Sequence, residues 1–293
     1  MKLLLAFPVL LGLGVQPIVA QAIVAQERKV DPTFLHRAIS QVEPREVDLS
    51  AAGCRYKPLF GTGDSEPEVV RGFVRFGELT LSPKAACKPV TYPTEEQAYV
   101  IMEGQGILHY GATVAPIRRH DFTYLPAGIA HWVENKSDDG LTLYVMGFRV
   151  PEGTLPPTRL LMSNYDDVKK VTVSGHPDSV LYQLLMGDVN SKRDRLAAGH
   201  LLTSLYLMEF QPGGTNFPHH HDSEEEIYVL LDGEGQIVAG SGMNGIEGLF
   251  PAKTGDAYFF RLNCTVGFYN SQAGPAHILG VRSLYPRPGL TLP

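Results

Sequence analysis

The chain has 293 residues, of which 44% are hydrophobic and 19% charged, a balance typical of soluble globular proteins that excludes disordered and fibrous classes. Its formal net charge is −6 and it has no long run of Lys or Arg, which argues against a nucleic-acid partner. The length suffices for one large domain or two ordinary domains.

The first 22 residues have the pattern of a secretory signal peptide. A single Lys2 precedes an apolar run from Leu3 to Val15, and Ala20 and Ala22 are placed as an A-x-A cleavage site. The run is short for the roughly 30 Å hydrocarbon core of a membrane. We therefore expect a secreted or periplasmic protein without stable membrane insertion once residues 1–22 are removed; an uncleaved anchor is the alternative.

Three cysteines follow, and their spacing is irregular. Cys54, Cys87 and Cys264 form no C-x-x-C pair, which argues against a disulfide framework and against a thiolate zinc site. One disulfide with one remaining thiol is compatible with the count.

Two pairs of segments indicate an internal duplication. Residues 95–106 and 224–235 are identical at six of twelve positions. Residues 120–135 and 255–270 share an Asp, an aromatic residue and a final Asn at equivalent places. The chain is therefore predicted to contain two domains of similar build.

Each copy consists of short β-rich runs that Gly, Pro, Asn and Asp interrupt about every ten residues, which is typical of an antiparallel sandwich or barrel. A Pro-rich segment at 151–158 separates the copies. We predict an all-β chain of two tandem barrels, the first at 27–150 and the second at 166–293. Residues 151–165 form the predicted linker.

Two motifs give this arrangement a family resemblance. Residues 213–233 read G-x5-H-x-H-x4-E-x6-G, and residues 126–135 read P-x-G-x2-H-x3-N. These resemble the first and second motifs of the cupin superfamily, and the duplication resembles a two-domain cupin, or bicupin. The resemblance implies jelly-roll barrels, also called double-stranded β-helices, whose interior can hold a divalent metal on three histidines and one glutamate.

The C-terminal copy has the residues of a metal site. His219 and His221 are two apart, so their imidazoles share one face of an extended strand, and a hairpin can bring Glu226 beside them. Two imidazoles and a carboxylate suit Fe(II), and Mn, Zn, Ni or Cu are also compatible. We predict one divalent transition metal on these three residues; the alternative is a solvated, histidine-rich loop. His220 points the other way.

The fourth ligand of the family pattern is missing from this copy. Val266 stands where the second-motif histidine belongs. Either the metal keeps open positions for water or substrate, as a catalytic site requires, or His277 on the last strand reaches in.

The N-terminal copy has lost the other half of the pattern. His131 is kept, but Tyr92 and Thr94 lie near the places of the first-motif histidines, and Gln97 replaces the glutamate. One imidazole does not hold a divalent ion, so this barrel is predicted to serve the fold, a dimer contact or a metal-free pocket.

Candidate acid–base groups lie near the predicted metal site. Glu225 and Tyr228 are the candidate catalytic residues, with Tyr258 as a further candidate; Tyr228 follows Glu226 by two and shares its strand face. A buried aromatic that fills the barrel is the alternative for Tyr228. Arg261 could neutralise a substrate carboxylate.

Three functions are compatible with the sequence. The first is a metalloenzyme, dioxygenase-like or a hydrolase or isomerase, that acts on a small oxygen-rich or aromatic molecule. The second is a manganese hydrolase, because a metal-free barrel followed by a metal-binding barrel resembles the (S)-ureidoglycine aminohydrolases, although their ligand pattern differs from this one. The third is a non-enzymatic extracytoplasmic protein that binds a small molecule. A homo-oligomer is compatible with all three.

Overall fold

The structure is a computed structural model that describes residues 32–150, 159–240 and 247–286. The predicted signal peptide and the Pro-rich part of the predicted linker lie outside these residues. The first half of the chain forms the strands β1 (Phe34–Ala38), β2 (Cys54–Gly61), β3 (Phe73–Leu81), β4 (Glu95–Glu103), β5 (Gln105–Tyr110), β6 (Thr113–Arg118), β7 (Asp121–Leu125), β8 (His131–Glu134) and β9 (Leu141–Arg149).

The second half of the chain repeats this run of short strands. It forms β10 (Leu161–Asn164), β11 (Lys170–Val171), β12 (Val180–Asp188), β13 (Leu196–Gly199), β14 (Leu202–Phe210), β15 (His219–His220), β16 (Glu224–Asp232), β17 (Glu234–Gly240), β18 (Glu247–Lys253), β19 (Asp256–Phe260), β20 (Thr265–Asn270) and β21 (Ala276–Leu284). Two 3₁₀ turns occur, Ile39–Gln41 and Tyr165–Asp167. Within the described ranges, no helical segment is long and apolar enough to cross a membrane.

Each half folds into a large sheet packed on a small one. In the N-terminal half the large sheet has the order β10-β7-β4-β9-β3-β2 and the small sheet the order β6-β5-β8. In the C-terminal half the corresponding orders are β1-β19-β16-β21-β14-β12, extended by β11 and β13, and β15-β20-β17-β18. The prediction of an all-β chain with two tandem barrels is confirmed.

The duplication extends to single backbone positions. A left-handed residue precedes β7 and β19 in the same place, namely His120 with φ 76° and Gly255 with φ 84°. A second matched pair precedes β8 and β20, Gly128 with φ 80° and Asn263 with φ 61°. Gly adopts the left-handed conformation without a steric penalty from Cβ, and Asn and His adopt it more readily than most other residues. The two barrels can therefore keep the same turn with different residues.

Strand pairing crosses the predicted domain boundaries. β1 precedes the N-terminal barrel but pairs antiparallel with β19 of the C-terminal one, with Phe34 opposite Phe260. β10, which lies in the predicted linker, pairs with β7 of the N-terminal barrel, with Leu161 opposite Tyr124. Each large sheet therefore takes its edge strand from the segment that leads into the other barrel.

Apolar residues form three clusters, one in the interior of each barrel and one between the barrels. The cluster between the barrels draws on both halves, for example Phe60 and Phe76 from one and Phe259 and Val281 from the other. Because β4 and β16 are buried on both faces, their central parts, residues 98–102 and 227–231, are continuous apolar runs rather than alternating ones. Fully burying one such side chain stabilises the fold by roughly 1.5–3 kcal/mol.

Two equivalent carboxylates tie the barrels together. Glu96 on β4 is fully buried, and its Oε1 accepts a hydrogen bond from the backbone N–H of Leu201, at 2.9 Å. Glu225 on β16 is also fully buried, and its Oε2 accepts from the N–H groups of Arg71 and Gly72, at 3.0 and 2.6 Å. Each barrel thus places one buried carboxylate on the backbone of the other.

One disulfide joins Cys54 and Cys87, which are 33 residues apart. Cys264 lies buried in the C-terminal barrel, where its Sγ accepts from the N–H of Gly240 at 3.3 Å. The count-based expectation of one bridge and one remaining thiol agrees with this structure.

Removing the bridge should destabilise the protein by about 3–4 kcal/mol, because a closed loop of this length strongly restricts the unfolded chain. The double variant Cys54→Ala/Cys87→Ala should show this as a lower urea midpoint, and a reducing agent should shift wild type but not the variant. Equal midpoints for the variant and the oxidised wild type would contradict the prediction.

Candidate metal centre

The two strands that carry the first motif bring its three candidate ligands together. His219 lies on β15, His221 lies in the turn that follows it, and Glu226 faces inward from β16. One ligand atom from each of the three lies within 4.8 Å of the others. Ligands bound at about 2.1 Å to one ion are roughly 3–4 Å apart, so the cluster is close to the size that a transition metal needs.

The first histidine is held in the tautomer that metal binding requires. Nδ1 of His219 lies 2.8 Å from the carbonyl oxygen of Phe217. Since a carbonyl only accepts, Nδ1 carries the hydrogen and Nε2 keeps its lone pair for a ligand bond. Burial lowers the pKa of His219, which also favours the neutral, ligating form.

Two buried polar atoms, one from the second histidine and one from the glutamate, indicate whether the site fits an ion. Nε2 of His221 and Oε2 of Glu226 are buried 3.3 Å apart, and neither makes a hydrogen bond of acceptable geometry. Buried polar atoms without partners are rare and call for an unseen water or ion. A nitrogen and a carboxylate oxygen that converge in this way fit a divalent metal.

Without an ion, these two side chains act as a charge pair. Burial alone would raise the pKa of Glu226, but His221 and Arg282 outweigh it and lower the pKa to about 2. Burial acts to lower the pKa of His221, and the carboxylate of Glu226 reverses this and raises it. Metal binding at His221 therefore competes with protonation of the imidazole, and a bound metal would balance the charge of Glu226 in its place.

A small polar cavity of about 50 Å³ adjoins the cluster. Tyr206 donates its hydroxyl to Oε1 of Glu226, and the guanidinium of Arg282 lies over the Tyr206 ring, with Cζ 5.9 Å from the centroid. A Cβ on Gly280 would lie 2.3 Å from this ring, so only glycine at 280 leaves room for it. The tyrosine and the arginine thus fix the carboxylate that completes the site.

Of the predicted acid–base residues, the structure brings only Tyr228 to the cavity. Its hydroxyl accepts from Nδ2 of Asn216 at 3.1 Å, and burial raises its pKa well above 10. Tyr228 therefore stays protonated, and its chemistry is limited to donating a hydrogen bond or a proton.

Glu225 does not join the site, which corrects its predicted catalytic role. Neighbouring residues of a strand point to opposite faces, so Glu225 is directed away from Glu226 and binds the backbone of the N-terminal barrel. Arg261 is not among the residues that line the cavity beside Glu226. The substrate contact predicted for Arg261 has no support from its position.

Two further candidates lie elsewhere. The hydroxyl of Tyr258 donates to the carbonyl of Pro251 at 3.0 Å, outside the cavity. His277 lies 2.9 Å from Asp232 through its Nδ1, and its Nε2 lies 3.4 Å from Glu209. His277 is thus a strand histidine paired with carboxylates, the outcome that the sequence allowed as an alternative to ligation.

The N-terminal barrel has different residues at the ligand positions. In the C-terminal barrel His219 pairs with Val266, and in the N-terminal barrel Val90 pairs with His131. Val90 and Tyr92 therefore occupy the positions of His219 and His221, whereas the sequence had indicated Tyr92 and Thr94. Both ring nitrogens of His131 contact protein oxygens, Ile129 O at 2.9 Å and Gln97 Oε1 at 3.1 Å.

A guanidinium supplies the positive charge inside this barrel. Arg75 is buried, its Nε lies 2.9 Å from Oε1 of Glu95, and its Nη1 donates to Asp48 at 2.9 Å. Its Cζ stands 4.7 Å from the centroid of the Tyr92 ring. In the N-terminal barrel, Arg75 thus supplies the positive charge that balances the carboxylates of Glu95 and Asp48.

Several residues of the cavity were not predicted from the sequence, among them Tyr206, Arg282 and His176. Tyr206 lies on β14 and Arg282 on β21, two adjacent strands that lie between β12 and β16 in the large sheet. They share the inward face of Glu226, since Arg282 is directly opposite it. The alternation of inward and outward side chains along these strands could have indicated Tyr206 and Arg282. His176 lies in a turn outside both motifs, so no such pattern indicates it.

Comparison with known proteins agrees with the fold. Residues 206–282 match the family described as Cupin domain. A search of the curated proteins found no match.

Solved structures match most of the chain. A protein of Pseudomonas aeruginosa provisionally named as glyoxylate-induced has a TM-score of 0.70 and 15% identity over 89% of this chain and 92% of its own. Protein Ylba of E. coli has a TM-score of 0.66 and 14% identity, with 88% and 93% covered. A variant of Bacillus subtilis oxalate decarboxylase has a TM-score of 0.62 and 13% identity, with 86% and 77% covered. Residues 206–282 thus match a cupin domain, and the chain shares its two-barrel fold with these solved structures.

Proposed function

We propose that the protein is an extracytoplasmic metalloenzyme that binds one divalent transition metal through His219, His221 and Glu226 and acts on a small carboxylate. The observation that carries the proposal is the pair of buried atoms His221 Nε2 and Glu226 Oε2, which lie 3.3 Å apart without a well-aligned hydrogen bond and converge beside a small cavity. When bound, the ion would supply Lewis acidity toward substrate oxygen atoms.

The size of the cavity supports a small substrate. A water-sized group needs roughly 10–15 Å³ of such volume, so about 50 Å³ holds only a few groups of that size. An aromatic substrate such as a catechol or a flavonol does not fit this space. Among the substrates that the sequence left open, the small oxygen-rich ones are favoured.

The charge around the cavity supports an anion. Arg282 and Arg193 line it, and a divalent ion would add two further positive charges, against the carboxylates of Glu226, Glu224 and Asp194, the last of which lies 3.4 Å from Arg193. The excess of positive charge attracts a carboxylate, and a guanidinium can hold one in a fixed orientation. The similarity in fold to oxalate decarboxylases supports the same chemical class.

The other side chains of the site have separate roles in binding and proton transfer. Arg282 binds and orients the anionic end of the substrate, and Tyr228, which burial keeps protonated, donates a hydrogen bond or a proton. Asn216 holds the Tyr228 hydroxyl in place, at 3.1 Å. Tyr206 keeps the Glu226 carboxylate directed at the ligand cluster.

The test is turnover by metal-free protein reloaded in turn with Mn, Fe, Zn, Ni and Cu. Small mono- and dicarboxylates, keto acids, sugar acids and ureido compounds are supplied, with catechols and flavonols as oversized controls, while O2 uptake, ammonia release and product mass are followed. We expect conversion of a small acid at a rate that changes strongly with the ion, because Lewis acidity differs between ions of one geometry. Saturable binding without turnover would instead establish a carrier, and ammonia release from a ureido compound a hydrolase of the ureidoglycine type.

Val266 gives a further prediction about the open positions of the ion. Val266 is directly opposite His219 in the β15–β20 pair, so its side chain shares the inward face. The variant Val266→His should bind metal about tenfold or more tightly, equivalent to at least about 1.4 kcal/mol, and should lose activity because the added imidazole fills a reactive position. Val266→Leu is the control for crowding, and higher activity in Val266→His would contradict an open catalytic site.

A further inference from the structure

A third imidazole lies next to the two that the motif supplies. His176, in the turn before β12, lines the same cavity, and its ring centroid is 5.1 Å from that of His219 at an interplanar angle of 71°. The centroids of His219 and His221 are 5.0 Å apart at 87°. The three rings therefore form a row with equal spacing and edge-to-face contacts.

His176 and His219 are oriented by the same device. Nδ1 of His176 lies 2.8 Å from the carbonyl oxygen of Asn216, just as Nδ1 of His219 lies 2.8 Å from that of Phe217. Each carbonyl can only accept, so both rings carry the hydrogen on Nδ1 and, when neutral, present a lone pair on Nε2. Metal-binding histidines characteristically donate their other ring N–H in this way.

The anchor of His176 is itself fixed. Asn216 is 1% exposed, its Oδ1 accepts from the N–H of Phe268 at 2.9 Å, and its Nδ2 donates to Tyr228. The next residue, Phe217, has a φ of 54°, a left-handed conformation that non-glycine residues rarely adopt. The turn thus presents two consecutive carbonyls, one to each imidazole.

We infer that His176 is a fourth protein ligand of the metal centre and takes the place of the imidazole that Val266 lacks. This inference rests on the proposed function. Its Nε2 lies outside the cluster formed by His219, His221 and Glu226, so metal binding is expected to draw the ring inward about its Nδ1 contact. A six-coordinate ion would then keep two positions, which suffice for both oxygens of a carboxylate.

A purely structural role would leave different traces. The ring of His176 also contacts Tyr182, with centroids 5.4 Å apart, so the residue could serve only to pack this corner of the barrel. His176→Phe keeps an aromatic ring there and removes the ligand atom, and His176→Gln is a second variant in case the first disturbs folding. His277→Phe is the matched control, because His277 lies on a strand and faces carboxylates outside the cavity.

The experiment measures copper and zinc binding by full-length protein. Zinc affinity is determined by competition with a chelator, and nitrogen ligands are counted from the hyperfine splitting in the electron paramagnetic resonance spectrum of the Cu(II) form. We expect three nitrogens in wild type and in His277→Phe, but two in His176→Phe and His176→Gln, with zinc affinity at least about tenfold lower in both. Melting curves of the metal-free forms verify folding.

The outcomes separate this inference from the proposed function. If His219→Ala loses metal while both His176 variants keep wild-type zinc affinity and nitrogen count, the inference is wrong and the proposed site stands. If His219→Ala also keeps its metal, the proposed site is wrong and His176 loses its role with it. Loss of metal in His219→Ala, together with a lower nitrogen count in the His176 variants and an unchanged count in His277→Phe, supports both.

Discussion

Changing both His219 and His221 to Ala should remove the bound metal, from about one equivalent per chain to a level indistinguishable from buffer. The reason is that Glu226 would be the last member of the three-atom cluster, and one carboxylate, even with the neighbouring imidazole of His176, does not hold a transition-metal ion as three or four ligands do. Elemental analysis of protein purified without added ions provides the measurement. The metal-free double variant should stay folded, because Glu226 keeps the hydroxyl of Tyr206 and the nearby charge of Arg282 as partners.

The controls use histidines outside the cluster. His220→Ala removes the exposed neighbour of the two ligands, and His131→Ala removes the second-motif imidazole of the N-terminal barrel, whose nitrogens already contact protein oxygens. Both variants should keep the metal content of wild type. Metal retained by the double variant, or two ions per wild-type chain, would show that the assignment to one barrel is incorrect.

The central strands and the ligand cluster could be predicted because they depend on local rules. His219, His221 and Glu226 lie within eight residues of each other, on β15, in the turn and on β16, and the structure brings their atoms within 4.8 Å. The repeated strand–Gly–strand pattern likewise gives the two barrels. Both inferences need contacts over only a few residues of chain.

The rest of the site depends on contacts that are far apart in the sequence. Arg282 pairs with Glu224 across 58 residues, and Tyr206 reaches Glu226 across 20. The exchange of β1 and β10 between the sheets is equally non-local. Nothing in the local pattern at 34–38 indicates that its partner strand lies at 256–260.

Cross-strand register also shows how the two barrels diverged. Arg75 is opposite Gly147 in the N-terminal barrel, and Ser204 is opposite Arg282 at the equivalent pair of the C-terminal barrel. The arginine is therefore on the first strand of the pair in one barrel and on the second strand in the other, and a small residue lies opposite it in both. Gly147 is required in this arrangement, because a Cβ there would lie 2.1 Å from Oε1 of Glu95.

Glu225 was misassigned although a local rule was available. Adjacent strand residues face opposite sides, so Glu225 and Glu226 could not both face the metal. What the sequence did not reveal is that the outer face of β16 is buried too, against the N-terminal barrel, where Glu225 is fully inaccessible to solvent. A carboxyl group in that position has a consequence that can be measured.

Replacing Glu225 by Gln should change how the stability of the protein depends on pH. Burial raises the pKa of Glu225 to about 7, partly offset by the N–H groups of Gly72 and Arg71, against about 4.5 in the unfolded chain. A carboxyl whose folded pKa is raised stabilises the fold fully below the unfolded pKa, and this contribution is lost as the pH rises through the folded value. A shift of this size corresponds to about 3 kcal/mol between roughly pH 4 and pH 8.

The measurement is the free energy of unfolding in urea at several pH values, for wild type and Glu225→Gln, in the presence of a chelator so that no metal contributes. The amide of Gln can still accept from the backbone of Arg71 and Gly72 but never carries the buried charge, so the variant should gain about 3 kcal/mol relative to wild type from acid to alkaline pH. Glu103→Gln, at an exposed carboxyl of β4, provides the baseline for loss of one surface charge. Parallel curves for wild type and Glu225→Gln would mean that the carboxylate is satisfied in its charged form by the two N–H groups and the nearby arginines, and that the contact between the barrels is insensitive to pH.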